Sequence, residues 1–270
     1  MRENPLLDKL KSGRTALGLY VNSTDMIDLC GHLGFDWVML DQMFTAHDFS
    51  QIDSLIRSSE AAGITPVVRV QSNPWLGYDH RVAVDVTRLL GIGAQFVLVS
   101  HSGKQEIDEC LEVAGDWHRK VLIIHPFSDY DEWAPGREKM EQEMFIIPQA
   151  ESVGALESLE EVIKTPGVKL VFLAMTDASR IITESDKPDF YDERLWAYVD
   201  RAVALGKEHG VWIGANTSYA YSLEELTKRI GMLHDHGVQM IMAQGANFLF
   251  QVALTAFLKD VRPLIGEQLD

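Results

Sequence analysis

The chain has 270 residues, of which 46% are hydrophobic and 24% are charged. This composition is typical of a globular protein and excludes wholesale disorder, and one α/β barrel commonly takes about 250 residues. The formal net charge of −16 disfavours nucleic acids and anionic membranes as partners, because like charges repel. No apolar run approaches the roughly 20 residues that span a bilayer, and no signal-peptide core is present, so we expect a cytoplasmic protein.

The predicted elements follow one recurring order along the chain: a helical stretch, a glycine and a short aliphatic run. Glycine ends a helix at low cost because it has no Cβ, and continuous apolar runs are typical of strands buried on both faces. Helical patterns such as 48–62 and 153–165 lie between these runs. In chain order, the runs are 16–21, 36–40, 66–70, 96–99, 121–124, 145–147, 170–173, 211–213 and 240–242.

This alternation predicts a parallel sheet covered by helices. Eight of the nine runs would close a (β/α)8 barrel and one would be spare. An open doubly wound sheet is also compatible with the pattern, although no G-x-G-x-x-G follows the first strand and no P-loop is present. No linker divides the sequence, which therefore predicts a single-domain TIM barrel over residues 1–270.

A barrel builds its active site at the C-terminal ends of its strands, so the polar residues that follow each run are the candidate site residues. Glu151 and Asp177 end consecutive strands and, with Arg69, suggest a site for Mg²⁺ or Mn²⁺. Alternatively, both acids are first-turn helix residues and Arg69 belongs to a structural ion pair. The full set is Asn22, Asp41, Arg69, Ser100, His101, His125, Gln149, Glu151, Thr176, Asp177, Asn216 and Gln244.

Four segments, in the same order and spacing, resemble motifs of the HpcH/HpaI aldolases. They are G-F-D-W-V-M-L-D at 34–41, P-V-V-R-V at 66–70, P-Q-A-E-S at 148–152, and P-G-V followed by V-F-L-A-M-T-D-A-S at 166–179. The resemblance runs without gaps from 149 to 179 and extends loosely over nearly the whole chain. It implies a (β/α)8 barrel of the phosphoenolpyruvate/pyruvate type.

The resemblance also implies an activity and the residues that carry it. The activity is metal-dependent cleavage or formation of a 4-hydroxy-2-oxo acid, with pyruvate and an aldehyde as the two halves. The resemblance assigns the metal to Glu151 and Asp177, the keto or enolate oxygen to Arg69, and substrate binding to Gln149. The cation would be Mg²⁺ or Mn²⁺, with Co²⁺ or Zn²⁺ as alternatives. The resemblance further implies hexamers that exchange C-terminal helices, here about 247–264, whereas the sequence alone equally allows that helix to pack on its own barrel.

The physical chemistry agrees with these roles. A 2-oxo acid can chelate a cation through its carboxylate and keto oxygens. A fixed guanidinium at Arg69 would stabilise the enolate more than the ground state, so its removal should lower the rate more than the metal affinity. Backbone N–H groups at Thr176 and Ala178, where a helix is expected to begin, would receive the substrate carboxylate.

One position departs from the family pattern. The aldolases carry an acid/base histidine, held by the aspartate that corresponds to Asp41, where this chain has Phe44. Without imidazole, the usual carrier of the substrate hydroxyl proton near neutral pH is missing. Three replacements are open: His101 at a strand end is the best placed, and His125 and His47 are the others.

This departure leaves three interpretations of the function. The first is an aldolase with a different proton carrier. The second is other metal-enolate chemistry, such as oxaloacetate decarboxylation or condensation onto another carbonyl. Of these, decarboxylation needs no hydroxyl deprotonation. The third is a noncatalytic protein that binds a 2-oxo acid.

Overall fold

The computed structural model describes residues 4–70, 81–100, 103–120 and 143–265. Within these ranges, eight parallel strands form a closed barrel in which neighbours in sequence are neighbours in space, and the last strand pairs with the first. The strands are β1 (Ala16–Tyr20), β2 (Trp37–Asp41), β3 (Thr65–Arg69), β4 (Phe96–Val99), β5 (Phe145–Ala150), β6 (Leu170–Leu173), β7 (Trp212–Asn216) and β8 (Met240–Gly245).

One helix precedes the first strand, and at least one helix follows every strand. They are α1 (Pro5–Lys11), α2 (Thr24–Leu33), α3 (Phe49–Ala61), α4 (Arg81–Gly91), α5 (Lys104–Lys120), α6 (Val153–Glu157), α7 (Leu159–Ile163), α8 (Met175–Thr183), α9 (Glu193–His209), α10 (Leu223–Asp235) and α11 (Ala246–Val261), and a 3-10 helix (Arg262–Ile265) follows.

Two helix ends confirm that glycines following helical stretches end those helices. Gly34 ends α2 and Gly210 ends α9, both in the left-handed conformation, with φ of 84° and 68°. A side chain at either position would be strained, because only glycine adopts this conformation freely. At the other end of a helix, Asp48 starts α3 with a capping box that includes Gln51.

The predicted barrel is confirmed, with two differences in detail. The run 121–124 lies outside the described residues, and β4 pairs directly with β5, so the barrel closes with the other eight runs. The single helix expected over 153–165 is instead two short helices, α6 and α7, that meet at Ser158 (φ −86°, ψ 7°). Ser158 is the C-cap of α6 and the N-cap of α7, and its ψ lies outside the α-helical range.

Large aromatic side chains fill the barrel interior. Trp37 and Phe172 meet edge to face with their ring centroids 6.3 Å apart. Glycines on neighbouring strands make room for them, since a Cβ on Gly18 would lie 2.3 Å from the Trp37 ring and one on Gly214 would lie 2.7 Å from Phe172. The buried leucines of α1 pack in the same cluster. The N-terminal end of the barrel is therefore filled, and a cavity can form only at the C-terminal ends of the strands.

The helix α11 does not pack on the barrel as the other helices do. Ala246 is its one buried residue, whereas Phe250 is 52% exposed and Phe257 is 59% exposed. Phe248 and Leu249 at its start pack against the core, and exchange of this helix between subunits stays a prediction. Over the described ranges, no helix is both long enough and apolar enough to span a membrane.

Candidate active site

A cavity of about 790 Å³ opens where the strands of the barrel end. Most of the polar residues that the sequence singled out at strand ends meet in it. Asn22 and Ser100 do not line it, and His101 and His125 lie outside the described residues. The lining residues are Tyr20, Met39, Asp41, Phe44, Arg69, Gln149, Glu151, Ser152, Thr176, Asp177, Arg180, Asn216, Ser218, Tyr219, Met242, Ala243, Gln244 and Gly245.

A buried ion pair occupies the β2–β3 side of the cavity. Asp41 and Arg69 are register partners at the ends of their strands. The Arg69 Nε donates to Asp41 Oδ1 at 2.8 Å, and its Nη2 donates to Oδ2 at 2.7 Å. Burial by itself lowers the pKa of Arg69, but the hydrogen bonds and charge of Asp41, with smaller contributions from Glu151 and Tyr20, raise it overall. Arg69 is therefore a fixed positive charge at the cavity wall.

Asp41 is held from several directions at once. Its Oδ1 accepts the Met43 N–H at 2.9 Å, and its Oδ2 accepts the Phe44 N–H at 3.2 Å. The Tyr20 hydroxyl donates to the same Oδ2 at 3.4 Å. Because both oxygens also accept from Arg69, Asp41 acts here as a support that positions Arg69 and the loop after β2.

Phe44 stands in the cavity wall, at the position where the family pattern has a histidine. Its ring centroid lies 4.9 Å from Arg69 Cζ, and 65% of the residue is exposed. The ring offers a cation–π contact but no exchangeable proton. Of the proposed replacements, His47 does not line the cavity, and the predictions for His101 and His125 remain untested.

A chain of hydrogen bonds orders the β5 side. Ser100 donates to Gln149 Oε1 at 3.0 Å, and Gln149 Nε2 donates to Glu151 Oε2 at 2.7 Å. Gln149 and Glu151 are 3% and 6% exposed. The first bond sets the orientation of the amide, and the amide in turn fixes one oxygen of the Glu151 carboxylate.

The first turn of α8 forms the β6 side. Burial raises the pKa of Asp177, and the charges of Arg180 and Arg69 offset only part of this effect. Arg180 Nη1 lies 3.7 Å from Asp177 Oδ1, and the Thr176 hydroxyl donates to Ser218 Oγ at 3.0 Å. This turn presents both an acid and a hydroxyl to the cavity.

Ala178, predicted to bind substrate through its backbone, does not reach the cavity. It is fully buried, and its N–H donates to the Ala174 carbonyl at 2.9 Å inside α8. The first N–H groups of a helix lack partners within the helix, so Thr176 and Asp177 are better placed than Ala178 to meet an anion. The expected start of the helix in this region is confirmed, at Met175.

The two carboxylates of Glu151 and Asp177 fit a hard divalent cation. Among the residues that the structure describes, no cluster of three or more His, Cys, Asp or Glu side chains could hold a metal ion. Mg²⁺ is commonly bound by one or two carboxylates, with water and substrate oxygens completing the shell. An all-oxygen donor set also suits Mg²⁺ or Mn²⁺ better than Zn²⁺, which favours nitrogen and sulfur ligands.

Sequence reasoning missed several lining residues, among them Tyr20, Arg180 and Ser218. Tyr20 lies within the first apolar run, where it looked like part of a buried strand. Arg180 follows a motif that drew attention to its acid rather than to the next helical turn. Ser218 has a positive φ of 54°, a conformation that nothing in its sequence surroundings indicates.

Relatives of known activity match most of the chain. The model of the family described as HpcH/HpaI aldolase/citrate lyase matches residues 14–243. A 2-dehydro-3,6-dideoxy-6-sulfogluconate aldolase from Pseudomonas putida is 26% identical over 211 residues, which are 76% of this chain and 79% of the relative. A hydroxypyruvate/pyruvate aldolase from Paraburkholderia phytofirmans is 26% identical over 189 residues, 64% of this chain and 68% of the relative.

Solved structures share the fold at lower identity. An HpcH/HpaI aldolase from Desulfitobacterium hafniense superposes with a TM-score of 0.77 at 20% identity, covering 99% of this chain and 100% of the other. The citrate synthase SbnG has a TM-score of 0.76 at 19% identity, with 98% and 100% covered. The family match and the named relatives set aside the noncatalytic interpretation. The chain is an enzyme of the aldolase/lyase type and belongs to the HpcH/HpaI aldolase/citrate lyase family.

Proposed function

We propose that this enzyme is a divalent-metal-dependent carbon–carbon lyase. It cleaves or forms a 4-hydroxy-2-oxo acid, with pyruvate as the enolate-forming half and an aldehyde as the other. The observation that carries the proposal is the buried Arg69, fixed by Asp41 in the same cavity as Glu151 and Asp177. The names of the relatives, which are aldolases, support the same reaction class.

Arg69 would stabilise the charge that develops during cleavage. Breaking the bond between C3 and C4 leaves an electron pair that delocalises onto the former keto oxygen. A guanidinium already held by two hydrogen bonds to Asp41 needs no reorganisation to meet that charge. Such an interaction strengthens towards the transition state and therefore lowers the barrier rather than only tightening substrate binding.

Glu151 and Asp177 would hold the cation, which when bound supplies a Lewis acid for the 2-oxo acid group. Gln149 keeps one Glu151 oxygen in a fixed orientation through its 2.7 Å bond. The substrate carboxylate would lie against the N-terminus of α8, where backbone N–H groups and the helix dipole favour an anion. These residues orient the oxo acid with its keto oxygen towards Arg69.

A second candidate is enolate chemistry without a hydroxyl substrate, such as oxaloacetate decarboxylation or condensation onto another carbonyl. The observation that favours it is Phe44, whose ring lies beside Arg69 and has no exchangeable proton. Loss of carbon dioxide forms the same enolate, but no hydroxyl has to be deprotonated. It would use the same Arg69 and the same two carboxylates.

Proton exchange on pyruvate tests the enolate directly. We expect the methyl signal of pyruvate in D2O to decay when Mg²⁺ is added to EDTA-stripped protein, as followed by proton NMR. Glu151→Gln should abolish the decay. If the unmodified protein binds Mg²⁺ but no exchange occurs, the aldolase proposal fails, and oxaloacetate decarboxylation is the next reaction to assay.

We also propose a homo-oligomer that covers α11, with the hexamer of the family as the expected form. The support is the exposed apolar surface of this helix, since soluble monomers rarely leave such a patch uncovered. Phe257→Glu should lower the mass measured by light scattering during size-exclusion chromatography. Leu33→Glu, at a position 63% exposed on α2, is the matched control and should leave the mass unchanged. An equal mass in both variants would contradict the proposal.

A further inference from the structure

Tyr20 brings a phenol into the cavity beside the ion pair. It ends β1, and its hydroxyl lies 3.4 Å from Asp41 Oδ2. That distance marks a weak bond compared with the 2.7 Å bond from Arg69 to the same oxygen. The hydroxyl can therefore turn to a substrate oxygen while Asp41 keeps its stronger partner.

Few of the described lining groups can exchange a proton with a substrate oxygen. Guanidinium groups do not deprotonate in proteins, which removes Arg69 and Arg180. Asp41 is fixed by that same arginine on both oxygens. Amide side chains in the lining do not titrate, and Glu151 and Asp177 are the proposed ligands of the cation.

The hydroxyls of Ser152, Thr176 and Ser218 also line the cavity, but aliphatic hydroxyls are not among the usual general acids and bases. Two tyrosines in the described lining remain, and they differ in position. Tyr219 is 59% exposed and lies on the loop after β7. Tyr20 is partly buried and contacts Asp41, next to the guanidinium that would meet the enolate. Burial, and then the charge of Asp41, raises the pKa of Tyr20 to about 12, although Arg69 lowers it. The phenol is therefore protonated near neutral pH and can donate.

We propose that the Tyr20 hydroxyl is the proton carrier for the substrate oxygen on the carbon at which the carbon–carbon bond is made or broken. This inference rests on the proposed aldolase function. It assigns to a β1 residue the task that the side chain of Phe44 cannot perform. Phenols are among the side chains that serve as general acids and bases, with typical rate contributions of about 10²–10⁴.

In the direction of bond formation, C3 of the pyruvate enolate attacks the aldehyde carbon. The new bond uses the enolate electron pair, the keto group re-forms, and the carbonyl π pair moves onto the aldehyde oxygen. That oxygen takes the proton of Tyr20, and the phenolate regains a proton from water. Cleavage runs through the same steps in reverse, with the phenolate accepting the proton of the C4 hydroxyl.

The test compares two reactions in matched variants of the full chain with Mg²⁺, Tyr20→Phe and Tyr221→Phe. Tyr221 is 84% exposed and does not line the cavity. The first reaction is addition of pyruvate to acetaldehyde, glycolaldehyde or benzaldehyde, whichever the unmodified protein turns over fastest. The second is decarboxylation of oxaloacetate, which forms the enolate but has no aldehyde oxygen to protonate. Tyr20→Phe should slow addition by about 100-fold and decarboxylation by less than about threefold. Tyr221→Phe should change both rates by less than about threefold.

Binding of oxalate, a planar mimic of the enolate, reports on the integrity of the site. Its thermal shift should be the same in Tyr20→Phe as in the unmodified protein, because oxalate has no counterpart of the aldehyde oxygen and Asp41 keeps both hydrogen bonds from Arg69. Equal addition rates in the two tyrosine variants would overturn the role of Tyr20 and leave the proposed function standing. Parallel losses of addition, decarboxylation and oxalate binding in Tyr20→Phe would also overturn it. Absence of addition in the unmodified protein would overturn the proposed function, and this inference with it.

Discussion

The two sides of the cavity differ in how their charges are balanced. On the β2–β3 side, Asp41 and Arg69 neutralise each other through two short hydrogen bonds. On the β5–β6 side, Glu151 accepts a hydrogen bond from the neutral amide of Gln149, and burial raises the pKa of Asp177 in spite of Arg180. The first side is thus arranged before any ligand arrives, whereas the second is where the proposed cation would add stabilisation.

Strand geometry accounts for much of this difference. Asp41 and Arg69 are register partners on adjacent strands, so the sheet itself holds them at contact distance. Glu151 follows the end of β5, and Asp177 lies in the first turn of α8, so their relative position depends on the segment after each strand. A pair fixed by the sheet suits a charge that must not move, and a pair on connecting segments can adapt to a metal ion.

The largest effect should come from breaking the ion pair. Asp41→Asn keeps the shape of the side chain but leaves the buried Arg69 without a counter-charge. We expect the free energy of unfolding to fall by about 3–5 kcal/mol, as for other buried pairs that lose one partner. Urea unfolding of the protein without metal measures this.

The control for this change is Asp53→Asn, which removes a partner from an exposed pair with Arg57. Exposed pairs contribute at most about 1 kcal/mol, so this variant should unfold close to the unmodified protein. Similar losses in the two variants would mean that the pair in the cavity is no better insulated from solvent than the pair on the surface.

The next two variants test whether one side of the cavity binds the metal while the other sets the turnover rate. Glu151→Gln should weaken Mg²⁺ binding by at least about tenfold, because even residues that only orient metal ligands contribute about 10–100-fold. Arg69→Lys keeps the charge but loses the planar fork, and it should lower turnover by about 100-fold with Mg²⁺ affinity nearly unchanged. Calorimetric titration and pyruvate exchange measure the two quantities. Loss of metal affinity in both variants would show that the two sides act as one unit.

The smallest effect concerns Arg180, which would compete with the proposed cation for Asp177. Arg180→Met should strengthen Mg²⁺ binding by a few-fold, because an exposed contact at 3.7 Å contributes at most about 1 kcal/mol. Arg201→Met, which removes an exposed partner of Glu160 far from the proposed ligands in the sequence, should leave Mg²⁺ affinity unchanged. Weaker binding in Arg180→Met would mean that this arginine supports the site rather than competing in it.

Several features of the fold and site were predictable because they depend on local patterns. Glycine after a helical stretch and uninterrupted apolar runs led to the eight-stranded barrel. The order of the motifs led to Arg69, Glu151 and Asp177. The split of the helix over 153–165 was not predictable from its apolar spacing, because that spacing carries no information about the backbone angles at Ser158.

By itself, the sequence determined the barrel, the family and the absence of imidazole at Phe44, because each depends on residue type and order along the chain. Only the tertiary structure decided that Tyr20 faces the cavity beside Asp41. It also decided that Ala178 is fully buried and that the apolar face of α11 is exposed. Each of these depends on which residues from distant parts of the chain become neighbours when the barrel closes. Spacing in a sequence predicts the period of an element, but contacts between elements are set by packing in three dimensions.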